Sequence, residues 1–184
     1  MAGASLRGLV MAVLVAVSAA MTTGACSHAI YRKTPVGTLE GELDVRWIKP
    51  DQFVYLPNAE HPLTFTTADH RAIVPRAMYT DGGSIPRLFW NVQGYSPWGY
   101  APGYIVHDWL FVAHHCKDAG YEDITFEQSA QLLASAIKTL MVAGTAPKDE
   151  TTLWAIYEAV KSPIAKKLSC APSGSQPSPS RHKA

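Results

Sequence analysis

The sequence predicts an α+β domain: a small N-terminal antiparallel sheet followed by a three-helix unit. Leu43, Val45 and Trp47 alternate with Glu42, Asp44 and Arg46, the period-two pattern of a strand with one covered face. Ile105, Trp109, Val112 and Cys116 recur at i, i+4, i+7 and i+11, which makes one apolar stripe on a helix spanning Ala101–Cys116. Helical spacing then returns twice, in Phe126, Ala130, Leu133, Ile137, Leu140 and Met141, and in Leu153, Ile156, Tyr157 and Val160.

The first 25 residues read as a signal peptide rather than as part of the domain. Arg7 supplies the positive charge and Leu9 to Ala20 the apolar run, which is shorter than the ~20 residues a membrane span needs. Thr22, Thr23, Gly24 and Ala25 then place small residues directly before Cys26, as in a lipobox, where cleavage exposes a cysteine for acylation with chains such as palmitate. Ordinary secretion with cleavage after Ala20 or Ala25 is the alternative. On the first reading the protein is exported and anchored by lipid to the membrane, on the periplasmic or outer face of a bacterial envelope. Residues 26–38 read as a linker, 39–170 as the domain, and the Pro/Ser-rich 171–184 as a disordered tail.

Within the domain, Lys49-Pro50-Asp51 is a turn and Gln52 to Leu56 a returning strand. Leu63 to Thr66 and Arg71 to Tyr79 are shorter strands, and His61 and His70 beside the turns are surface residues. In Thr80 to Trp90, Gly82 and Gly83 permit a sharp turn and Ser84 caps a short helix with Pro86 in its first turn. Asn91 to Gly103 is a loop rich in Gly, Pro and aromatics, long enough for a lid or pocket wall. Thr125 opens the second helix with Gln128 at the capping-box position, Gly144 ends it, and Lys148 to Lys161 form the third. Once the signal and its Arg7 are removed, 15 basic residues balance 15 acidic ones. A neutral chain without a basic stripe excludes nucleic acid as a partner.

The candidate site lies on the side of the first helix opposite its apolar stripe. His107 and His114 run along one edge, Asp108 and His115 along the other, with Phe111 between them. Imidazoles and a carboxylate are the groups that bind metals and move protons near neutral pH. Adjacent helical residues diverge by about 100°, so His107 and Asp108 need a third group to share one divalent cation. Asp81, leaving the glycine turn, is the natural one; its carboxylate is otherwise a local Asx-type cap. His114 and His115 should be exposed and dispensable. Cys116 and Cys170 remain as a disulfide pair in an oxidising compartment, tying the end of the chain to the central helix.

The segment T-D-G-G-S-I-P-R, an aromatic-rich loop and then I-V-H-D-W-L-F resemble domain of unknown function 1353, a family of phages and bacteria. V-P-R-A-M-Y before it and W-A-I-Y-E-A-V-K after it extend the resemblance from about Asp69 to Lys161. The family implies no activity; its usual Ala-Asp pair in the following helix is Ala130-Gln131 here, with Glu127 one turn earlier. An H-D pair facing an antiparallel helix is also similar in arrangement to secreted phospholipase A2, where the His activates water and the Asp holds calcium. Two functions follow. One is a non-catalytic envelope lipoprotein module of phage type, its glycine loop and H-D helix forming a structural or binding site for an unidentified envelope partner. The other is a hydrolase of an envelope lipid or wall component, with His107 as general base and Asp108 and Asp81 holding water or a cation.

Overall fold

The computed structural model describes residues 24–50, 52–80, 98–116, 120–163 and 165–166, with only the backbone of His115 and Cys116. The architecture is α+β, as the sequence predicts. Helix α1 spans 24–33. Six short strands follow: β1 (Thr38–Glu40), β2 (Asp44–Lys49), β3 (Gln52–Leu56), β4 (Thr64–Thr66), β5 (Ala72–Ile73) and β6 (Met78–Thr80). Three helices complete the fold: α2 (Ala101–Cys116), α3 (Phe126–Val142) and α4 (Glu150–Val160).

The strands make two antiparallel sheets of three strands each, ordered β1-β4-β5 and β2-β3-β6. The single strand expected over Arg71 to Tyr79 is therefore two. Pro75 cannot donate to a ladder, and the chain changes sheets around it. Trp47, on the side of β2 expected to face inward, is 61% exposed. β2 lies at the edge of its sheet, and its ladder with β3 shifts register between Trp47 and Lys49.

Helix α2 belongs to both halves of the core. Tyr100, just before it, and Tyr104 pack with Leu133, Ile137 and Leu140 of α3 and with Leu153, Ile156 and Val160 of α4. Ile105, Val106, Trp109, Leu110 and Ala113 pack against Tyr55, Phe65, Ile73 and Met78 from the two sheets. A helix covered on both sides reads as apolar nearly all round. Its neighbours begin where their caps place them. Thr125 Oγ1 accepts from the Gln128 amide at 3.1 Å while Gln128 Oε1 accepts from the Thr125 amide at 2.8 Å. Asp149 Oδ1 accepts from the Thr151 and Thr152 amides, both at 2.9 Å, so α4 starts at Glu150, two residues later than expected.

The segment read as a linker, 26–38, is helical through residue 33 and packed on the domain. Ile30 and Tyr31 lie against the helical core. Lys138 Nζ donates to the Tyr31 and Thr34 carbonyls, each at 2.7 Å, closing the C-terminal end of α1. Arg71 forms a bidentate pair with Asp123, both bonds 2.7 Å, and also donates to the Gly120 carbonyl. This fork fastens the α2–α3 connection to β5, and the guanidinium holds the Asp123 carboxyl below its ordinary range.

Gly37 is held between β4 and α3. Its amide donates to Thr139 Oγ1 at 3.0 Å, and a Cβ there would meet the Thr66 carbonyl oxygen at 2.1 Å. Because the obstacle is backbone, Gly37→Ala should lower the unfolding free energy by about 1–3 kcal/mol in urea titrations. An unchanged midpoint would show that the chain entering β1 shifts away from β4 without cost.

Candidate functional site

The H-D pair sits midway along α2, where the helix passes beneath the end of β6. Tertiary packing encloses the side expected to be open. His107 is 1% exposed, Asp108 is partly exposed, and His114 is exposed. The His107 ring meets Phe111 edge-on, with centroids 4.5 Å apart, and Phe111 in turn stacks on Phe126 at the start of α3 at 6.4 Å. Among the described residues neither ring nitrogen of His107 has a hydrogen-bond partner. Burial alone pushes its pKa down to about 4, so the imidazole is neutral across the physiological range.

Asp108 turns toward the sheet instead. Its Oδ2 accepts a 2.7 Å hydrogen bond from the Thr80 hydroxyl, the last residue of β6. Its Oδ1 lies 4.0 Å from His107 Nδ1, beyond hydrogen-bond range. Two ligands each about 2.0–2.2 Å from one ion are 4.0 Å apart only when nearly opposite across it, which does not suit a tetrahedral site. Among the described residues, no three His, Cys, Asp or Glu side chains gather to hold a metal.

Several expected site residues lie outside the described residues: Asp81, Gly82, Gly83, Ser84 and Cys170, together with the side chain of Cys116. Residues 1–23 of the segment read as a signal peptide, and the tail 171–184, lie outside as well. Cys26 is exposed near the start of α1. Gln131, where the family usually has an acid, is exposed, and Glu127, one turn earlier, is exposed and paired with Lys166 at 2.8 Å. Neither supports a phospholipase-like arrangement. His61 and His70 are exposed, as expected of turn residues.

The residue that sequence reasoning left without a role is Thr80. A threonine ending a strand carries no local signal of a bond to a carboxylate 28 positions later. The chain therefore leaves β6 at a point bonded to the H-D helix, where the T-D-G-G segment begins. The model of a protein of unknown function, DUF1353, matches residues 58–159, more than half of the chain. The chain belongs to this family. The match covers β4 to β6, nearly all of α4 and everything between, including Thr80, His107 and Asp108. No curated protein and no solved structure matches the chain.

The enclosure of His107 has a pH signature. Its folded pKa of about 4 lies below the ordinary 6.5, so the unfolded chain binds its proton first as pH falls. Stability from this group is complete above about pH 6.5 and declines down to about pH 4, by about 3 kcal/mol at full development. His107→Leu, which fills a similar space without a titrating ring, should remove that part of the pH dependence in urea titrations between pH 7 and 4. His107→Ala should instead cost about 2–4 kcal/mol at pH 7 through the cavity it leaves. An unchanged pH profile in His107→Leu would show the ring to be open to protons in the folded state.

Proposed function

We propose that this DUF1353 chain is a bacterial envelope lipoprotein whose H-D helix and T-D-G-G-S-I-P-R segment form a structural or binding element rather than a catalytic one. The supporting observation is the state of His107: enclosed, uncharged and packed as a flat ring against Phe111. A general base must reach the proton it removes and hold it near the working pH. A ring with a pKa of about 4 and both nitrogens enclosed does neither well. The 2.7 Å bond from Thr80 likewise gives Asp108 an anchoring role, fixing where the strand hands over to the glycine segment.

The anchoring half of the proposal rests on Cys26, preceded by small residues in the sequence and exposed on the fold. Globomycin, which blocks the lipoprotein signal peptidase, or Cys26→Ser should make the unprocessed precursor accumulate in membrane fractions. Normal cleavage and release of Cys26→Ser would establish ordinary secretion instead.

Export would also leave Cys116 and Cys170 to pair. Such a bridge closes a loop of about 54 residues, for which chain-entropy models give roughly 4 kcal/mol. Mass mapping without reductant should find the linked peptides in periplasmic material. Two free thiols in that material would remove the crosslink.

A further inference from the structure

The end of the fold nearest Cys26 has a composition that the anchor alone does not explain. Helix α1 lines an open depression of about 490 Å³ with Ala25, His28, Ala29, Arg32 and Lys33. Cleavage before Cys26 would remove Ala25 and leave His28, Ala29, Arg32 and Lys33 on this face, a small apolar residue among cationic ones. Lys148 joins the same end, its ammonium 5.2 Å from the Tyr31 ring centre. The acid at this end, Glu150, is engaged by His28 Nδ1 at 2.8 Å and lies 3.7 Å from Lys148 Nζ. Among the described residues, the lining of the depression beside Arg32 and Lys33 contains no carboxylate.

Position relative to the anchor identifies the partner. α1 is bound to the body through the His28–Glu150 contact, the Lys138 bonds to the Tyr31 and Thr34 carbonyls, and the packing of Ile30 and Tyr31. Acyl chains on Cys26 would therefore be two residues from a fixed point of the domain, with no flexible tether between. Six helical residues rise about 9 Å, so Arg32 starts within about that distance of the anchored residue. The headgroup zone of one leaflet is roughly 5–8 Å deep, and long cationic side chains extend toward it from their backbone.

We propose that this face of α1 is a membrane-apposed surface on which Arg32 and Lys33 engage the phosphate groups of anionic phospholipids. The proposal rests on the lipid-anchored reading of Cys26. Lipid holds the body at the bilayer, and the cations set which face lies down. Each basic residue near an anionic surface contributes about 1 kcal/mol, or roughly fivefold in binding.

The test uses the processed protein purified from membranes, with intact mass first establishing whether Cys26 is acylated. Amide exchange is then compared in nanodiscs of phosphatidylcholine with and without phosphatidylglycerol. Exchange over residues 27–33 should slow at least fivefold when the anionic lipid is present. An equally acylated Arg32→Glu/Lys33→Glu variant should lose that difference while keeping its melting temperature. Equal exchange in both lipids, or full protection retained by the variant, overturns the proposal. If the protein carries no acyl groups, the same lipids are used as vesicles in a sedimentation assay. Binding to anionic vesicles that Arg32→Glu/Lys33→Glu abolishes would then uphold the surface and reject the anchor, and no binding to either vesicle would reject both.

Discussion

The constraint on which the rest of the structure depends is the burial of α2 on both sides. One helix supplies Tyr104 to the helical half of the core and Ile105, Val106, Trp109 and Leu110 to the half lined by strands. Neither sheet is large enough to close a core by itself, since each has three strands of two to six residues. They are stable because a single apolar rod lies across both, and burying side chains of this size is worth about 1.5–3 kcal/mol each. The cost is visible along the same helix. The Tyr104 hydroxyl, both nitrogens of His107 and the Trp109 indole N–H are buried without hydrogen-bond partners among the described residues. Groups of this kind disfavour folding by roughly 1–3 kcal/mol each, offset here by the area their rings cover.

Two polar contacts locate the strands on that rod. Thr80 joins the end of β6 to Asp108 in the middle of α2, and Arg71 joins the start of β5 to the connection that follows α2. Both link residues far apart in sequence, and both hold segments where the chain changes direction. The Arg71 fork lies near the surface, so it contributes mainly by geometry, with a bidentate fit that a lysine would not reproduce. The Thr80 bond is more sheltered and lies where the T-D-G-G segment of this chain begins.

The extent of the family match takes on meaning against this architecture. Residues 58–159 contain β4, β5 and β6 but not β1, β2 or β3. β1 pairs with β4 and β3 pairs with β6, so both sheets are completed by chain that precedes the match. The N-terminal segment is thus part of the folding unit. Helix α1 extends this dependence, because Lys138, near the C-terminal half of α3, caps it through two carbonyls.

What the sequence determined by itself is whatever depends on neighbours a few residues away. Period-two alternation located β2, helical spacing located α2, α3 and α4, and the Thr125–Gln128 pair marked a helix start that the capping box realises. These signals are local because backbone hydrogen bonding and side-chain direction repeat over two to four residues. Only tertiary structure decided which faces stay open. The histidine side of α2 reads as polar and accessible, yet the fold covers His107 because the helix lies between two layers rather than on one. Trp47 reads as inward and is exposed because its strand is an edge. Sheet membership of Arg71 to Tyr79, the docking of 24–33 and the Thr80–Asp108 bond were illegible for the same reason. Each depends on residues tens of positions away being brought within a few ångströms, and no window of sequence contains both partners.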